Sequence, residues 1–181
     1  MPQHITVLDY NPEWPRKFEE EKEKITAILK DNCAAIYHIG STSVPGLAAK
    51  PIIDILAAVK SLEKADEVSE EFSKIGYEWM GEFGIAGRRY LRKGGDERTH
   101  QIHIFHMEDQ KNIVRHLAFR EYMHTHEKER EEYGKLKKEL AKHFPYDIDG
   151  YCDGKEEFIQ RMEAQALSLY EGMYFSLEKY S

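Results

Sequence analysis

Between His38 and Leu56 the chain reads HIGSTSVPGLAAKPIIDIL, a stretch whose residue types suit an anion. Gly40 lacks a Cβ, so the backbone can turn sharply there and approach a ligand closely. Ser41, Thr42 and Ser43 bring hydroxyls, and Val44-Pro45-Gly46 is turn chemistry. The segment that follows is uncharged until Lys50, so backbone amides and one ammonium are expected to converge on one concavity. Asp54 is the lone charge in the aliphatic run IIDIL; in a strand it shares a face with Ile52 and Leu56 and would project where the preceding loop opens. A carboxylate beside a glycine-serine turn suits Mg²⁺, which takes one or two protein carboxylates and fills its other positions with water and phosphate oxygens. That is the chemistry of phosphoryl or nucleotidyl transfer. The plainer alternative is a turn, a strand start at Pro51 and a structural acid bonded to loop amides.

A second polar candidate lies in HQIHIFHM. As a strand it alternates Gln101, His103 and Phe105 with Ile102, Ile104 and His106, which sets His103 on the face opposite the isoleucines. A neutral imidazole can ligate a metal, although it favours softer ions than Mg²⁺. His103 is therefore the expected site histidine, ahead of His38 and His100. Arg88, Arg89, Arg92, Lys93 and Arg98 cluster just before it, either to hold phosphates or to decorate a hairpin. His124-x-His126 does not put both rings on one helical face, and no HExxH pattern occurs, so no zinc site is expected.

The elements that must position these groups follow from periodicity. Trp14, Phe18, Ile25, Ile28 and Leu29 predict an amphipathic helix whose stretch from Glu19 to Lys24 is mostly solvated. YHI and IIDIL predict strands, and Leu62, Ala65, Val68 and Phe72 predict a helix stopped at Gly76. Three β-leaning runs come next, with Gly94-Gly95-Asp96 as a hairpin turn. Ile113, Leu117, Tyr122 and Met123, then Tyr133, Leu136 and Leu140, fit amphipathic helices separated near Thr125, which would cap the second of them. FPYDIDGYCDG reads as a linker, and a last helix is expected from about Lys155 to Glu171.

HIGSTSVPGLAAKPIIDI, together with DYNPEWPRKFEEE, HQIHIF, FREYMHTHEKEREEYGKLKKELA and GKEEFIQ, resembles the signature of the GrpB family, which is placed in the nucleotidyltransferase superfamily. The resemblance covers nearly the whole chain. The superfamily pattern is a glycine-serine pair, a spacer, a strand carrying two acids with one residue between them, and a third acid on a later strand. Gly40-Ser41 match it, twelve residues (42 to 53) intervene, and Asp54 stands at the first acidic position, but the second is Leu56. An aliphatic side chain ligates neither ion of a two-metal centre. HQIHIF corresponds to the later strand, with His103 or Gln101 where an acid is expected. The matching helical motifs make Arg120, Lys137 and Lys155 candidates for neutralising a triphosphate; as ordinary surface residues they would point into water.

At 181 residues, 41% hydrophobic and 33% charged, the chain is expected to form a single α/β (α+β) domain over residues 1–181, with a nucleotidyltransferase-like mixed sheet flanked by helices. A C-terminal helical extension from about residue 110 would pack on that sheet. No apolar run has membrane-spanning length, so a cytoplasmic protein with no membrane partner is expected, its Cys33 and Cys152 as reduced thiols. A formal net charge of −7 argues against general nucleic-acid binding. In the functional expectation Gly40, Ser41, Thr42 and Lys50 hold the phosphates of a nucleoside triphosphate or other phosphate ligand. Asp54 ligates Mg²⁺, Asp54 and His103 are catalytic, and NMP passes to an unidentified acceptor. The alternatives are a phosphate-binding module that lost catalysis with the acid at Leu56, and an interaction or assembly factor that uses its helices.

Overall fold

The computed structural model describes residues 3–170. Helix α1 (Trp14–Leu29) leads into strand β1 (Cys33–Ile39), a short 3₁₀ turn at Ser41–Ser43 and strand β2 (Ile53–Val59). Two short helices, α2 (Leu62–Glu67) and α3 (Ser69–Lys74), precede β3 (Tyr77–Trp79), β4 (Arg89–Lys93) and β5 (His100–His106). Helices α4 (Gln110–Thr125), α5 (Glu127–His143) and α6 (Ile148–Leu169) complete the order. The strands form one mixed sheet, β1-β2-β5-β4-β3, in which only β2 and β5 run parallel.

Strand alternation divides the side chains between two cores. Ile53, Ile55, Ala57, Ile102 and Ile104 face α1, α2 and α3, where they meet Trp14, Phe18, Ile25, Ala65 and Phe72. Tyr37, Ile39, Leu56, Ala58 and Phe105 face the C-terminal helices through Ile113, Leu117, Met123, Tyr133 and Met162. The C-terminal helices pack on the sheet as expected, and no helix of the described residues is long and apolar enough to cross a membrane. Both cysteines are free thiols.

Four local expectations are corrected. The helix expected through Phe72 breaks at Val68 (φ −104°, ψ 16°), giving α2 and α3. Glu21, read as part of a wet face, is 3% exposed, because α1 turns it toward the Tyr77 hydroxyl at 2.7 Å and Lys93 Nζ at 2.9 Å. Thr125 does not cap α5; its hydroxyl donates back to the Glu121 carbonyl at 2.9 Å, within α4. The last helix begins at Ile148, seven residues before the expected Lys155, with the Asp147 side chain accepting from the Gly150 amide. Gly150 and Gly154 were misleading as breakers: a Cβ on them would come within 2.5 Å of Phe144 and 2.4 Å of Leu140, so they are close-packing sites inside α6. The expected end of this helix at Glu171 lies outside the described residues.

Candidate anion-binding site

The chain leaves β1 at Gly40, whose φ of 72° and ψ of −173° belong to a region open essentially only to glycine. A Cβ there would sit 2.9 Å from Asp54 Oδ2, so the glycine sets both the turn and the room for the carboxylate. Asp54 lies opposite Ile39 on β1 and Gln101 on β5, at the end of the sheet where β1 stops and β2 starts. The expected amide cradle is largely spent on the loop itself. Ser43 and Val44 amides donate to Gly40 and Ser41 carbonyls, Leu47 to Val44, and Ala49 to Leu8.

Side chains rather than amides define the cavity. It has a volume of about 140 Å³ and is lined by Ser41, Thr42, Lys50, Asp54, Gln101, Lys137, Tyr151 and Lys155, among others. Drug-sized ligands occupy roughly 300–1,000 Å³. This cavity matches a phosphoryl group, with the rest of any larger ligand lying outside.

Lys137 comes from α5 and is 2% exposed; its Nζ donates to Ser41 Oγ at 2.8 Å and lies 4.2 Å from the Tyr133 ring centroid. Lys50 and Lys155 lie over the Tyr151 ring at 5.0 and 4.8 Å. Burial disfavours the ammonium in all three. Lys137 is driven well below its ordinary value by burial and by the charges of Lys155 and Lys50, and Lys155 is lowered to about 8 by burial and by Lys50. Asp54 is the sole acid lining the cavity. The Tyr151 hydroxyl is buried with no hydrogen-bond partner among the described residues.

On the other side of Asp54, His103 Nε2 lies 2.8 Å from Oδ1, and Arg88 Nη1 lies 3.3 Å from His103 Nδ1. A guanidinium only donates, so Nδ1 accepts and the ring proton resides on Nε2, pointed at the carboxylate. Both nitrogens are thereby engaged. Burial works against ionising Asp54, but the electrostatic attraction and hydrogen bond of His103, aided by His116 and His38, outweigh it and hold the carboxyl below its ordinary range. His116 packs with its ring centroid 5.4 Å from that of His103, and burial lowers its pKa to about 3.

The structure thus brings Ser41, Thr42, Lys50, Asp54, Lys137 and Lys155 to one cavity, while Gly40 does not line it but packs against the Asp54 carboxylate, with His103 behind Asp54. The Thr42 hydroxyl donates to the Ile52 carbonyl at 3.2 Å and meets His38 Nε2 at 2.9 Å, so it is already committed. Burial depresses His38 to about 4. Arg120 reaches the His38 carbonyl at 3.0 Å, and His100 lies near Glu21 on the opposite face of the sheet. Of the basic cluster, Arg89, Arg92 and Lys93 pair with Asp66, Glu78 and Glu21, while Arg88 joins His103. Sequence reasoning missed Tyr133, Tyr151 and His116, which carry no local motif and reach the site only through packing of α4 to α6.

The acid absent at Leu56 has no replacement on the neighbouring strands. Leu56 is fully buried, opposite Tyr37 and His103, and the partners of Asp54 are Ile39 and Gln101. Among the described residues no three His, Cys, Asp or Glu side chains are grouped as a metal centre. The donor set can offer one carboxylate to one Mg²⁺, and does not fit two ions.

These features define a mixed α/β protein with a lysine-lined pocket at the open end of two central strands. The chain belongs to the GrpB family, whose model, described as GrpB protein, matches residues 4–165. The UPF0157 protein YqkA of Bacillus subtilis is 44% identical over 164 residues, which are 90% of this chain and 47% of YqkA, so the chain spans about half the length of that relative. The crystal structure of the conserved protein GrpB from Enterococcus faecalis has a TM-score of 0.89 and 51% identity, over 91% of this chain and 99% of that chain. The MgGTP-bound Cid1 poly(U) polymerase aligns over 65% of this chain and 42% of that chain, with a TM-score of 0.43 and 17% identity, a likeness that concerns the fold alone.

Proposed function

We propose that the pocket binds the phosphates of a nucleoside triphosphate through Lys50, Lys137, Lys155 and Ser41. The observation that carries this reading is the convergence of three part- or fully buried ammonium groups on a cavity whose lining holds one carboxylate. An anion would relieve their mutual repulsion and restore the charged form of each. The unpartnered Tyr151 hydroxyl supplies a further donor. In this reading Asp54, oriented by the Nε2 proton of His103, stands at the edge of the phosphate site and takes a proton from an acceptor hydroxyl. Mg²⁺, held by Asp54 and otherwise by water and ligand oxygens, would supply charge neutralisation at the reacting phosphate. The reaction class is nucleotidyl transfer: the acceptor oxygen bonds to the α-phosphorus as the bond to the β-phosphate breaks, and pyrophosphate leaves against the lysines, the pocket not specifying the acceptor.

The second reading is a phosphate-binding module without turnover, favoured by the apolar Leu56 at the place of the second acid. Isothermal titration with ATP and with inorganic triphosphate, in EDTA and in Mg²⁺, tests both. Micromolar binding that Lys50→Met and Lys155→Met each weaken by about ten- to hundredfold supports the phosphate site, one charge-assisted hydrogen bond corresponding to roughly 1.5–3 kcal/mol. Transfer from labelled ATP that Asp54→Asn abolishes supports the enzyme; binding without transfer in both proteins supports the module. Wild-type protein that binds neither ligand removes both readings.

A further inference from the structure

The sheet face that carries Asp54 continues away from the lysines. Register sets Gln101 of β5 beside Asp54, Arg92 of β4 beside Gln101, and Tyr90 of β4 beside His103. Two strand spacings separate β2 from β4, about 10 Å. Over this end of the face lies Phe83, from the connection between β3 and β4. Its ring stacks on Tyr90 at 5.2 Å with an interplanar angle of 18°, yet the residue is 54% exposed, so much of its surface stays in solvent.

An exposed aromatic ring usually moves freely, but this one is held. Arg88 Nη2 donates to the Phe83 carbonyl at 2.8 Å and Arg88 Nε to the Glu82 carbonyl at 3.2 Å, while the Gly87 amide donates to the Glu82 carboxylate at 2.6 Å. Phe83 has a φ of 49°, which is rare for a bulky residue and costs energy that these bonds must offset. The same Arg88 that fixes the ring also meets His103, so the aromatic platform and the Asp54 dyad share one anchor. Arg92 lies 5.9 Å from the Phe83 ring centroid. Arg98 Nε is buried with no partner among the described residues, and the charge of Arg98 acts on both Lys50 and Tyr90.

We propose that Phe83 is a stacking platform for the nucleobase of the ligand whose phosphates occupy the lysine pocket, with Arg98 facing the atoms that join the two. The proposal rests on the phosphate reading above and narrows its ligand from any phosphate to a nucleotide. About 10 Å separates the strand of Asp54, at the pocket edge, from that of Tyr90 under the ring, a gap that the sugar and inner phosphates of a nucleotide can bridge. Stacking on the ring requires no particular base, so the platform selects for a planar ring rather than for its edge.

The test compares ATP with inorganic triphosphate, which has the same charges and no base, on the full chain. Phe83→Ala should weaken ATP by roughly tenfold, the usual effect of removing one stacking ring, and leave triphosphate affinity unchanged. Phe83→Leu, which still covers Tyr90 but has no π face, should behave as Phe83→Ala, and Phe83→Trp should retain ATP binding. Equal losses for both ligands, or unchanged ATP affinity in Phe83→Ala and Phe83→Leu, would overturn stacking while leaving the phosphate site standing. Failure of the wild-type protein to bind triphosphate would instead remove the phosphate site and this platform with it.

Discussion

Replacing Lys137 by methionine should make the unliganded protein more stable and abolish its affinity for phosphate. The side chain is 2% exposed and has no carboxylate partner; its compensation is the Ser41 hydroxyl at 2.8 Å and the Tyr133 ring at 4.2 Å. Burying an ion costs several kcal/mol even after relaxation, here taken as about 5. The hydrogen bond returns about 1.5–3 kcal/mol and a desolvated cation–π contact about 1–2. The balance favours methionine, of similar length and unbranched, by up to about 2.5 kcal/mol, or as much as roughly 10 °C in Tm for a chain of this size. The folded-state pKa lies well below the unfolded value of 10.5, so folding must carry the penalty of a charged or stripped lysine at neutral pH. That penalty is fully present below the folded value and falls as pH rises toward 10.5, where the unfolded lysine also loses its proton. The advantage of Lys137→Met should therefore be largest near pH 6 and shrink toward pH 10, read by circular dichroism melts of the ligand-free full chain. Added triphosphate should raise the Tm of the wild type and not that of the variant. A variant less stable than wild type at pH 6, or a pH-independent difference, would refute the account of Lys137 as a strained, ligand-awaiting cation.

Gly40→Ala should lower stability by at least about 2 kcal/mol, because it combines a backbone region hostile to Cβ with a 2.9 Å approach to Asp54 Oδ2; the midpoint of urea unfolding reads the loss, and an unchanged midpoint would contradict the turn described for this loop. Glu21→Gln tests the buried acid on the opposite face. Burial opposes its ionisation, but hydrogen bonds from Lys93 and Tyr77 and the charges of His100 and Lys93 hold its pKa below 4.5, so its contribution is present above pH 4.5 and lost as pH falls through the folded value. The variant should be less stable than wild type by about 1–3 kcal/mol at pH 7, with the gap closing in acid, as measured by urea unfolding at pH 7 and pH 4.

Where one strand or one helix decides the outcome, the sequence was readable. The alternation in HQIHIFHM placed His103 away from the isoleucine core, and Gly94-Gly95-Asp96 does join antiparallel strands, the Glu97 amide donating to the Gly94 carbonyl at 3.0 Å. Failures occur where a local signal competes with a distant contact. Glu21 sits in a run of charged residues, and nothing nearby announces that Tyr77 and Lys93 come to meet it. Gly150 and Gly154 look like punctuation until Phe144 and Leu140 are seen pressed against them. Tyr151 fell in what reads as a linker, yet its ring lies under two of the three lysines that line the cavity.

The departure at Leu56 and the three lysines belong to one charge balance. A pair of carboxylates on one strand repel each other and are tolerable only with cations between them, so such a site imports divalent ions to receive a phosphate. Here the second position is packed into the apolar core with Tyr37, Phe105 and Leu117, and the remaining acid is oriented by the His103 Nε2. Lysine side chains on β2's approach, α5 and α6 line the pocket instead, and in the proposed reading a bound phosphate would draw their positive charge without an ion. An ion placed at Asp54 would have to share that carboxylate with the fields of Lys50 and Lys155, each of which Asp54 already stabilises in its charged form. Triphosphate affinity should accordingly persist in EDTA, and a requirement for Mg²⁺ should appear in turnover rather than in binding.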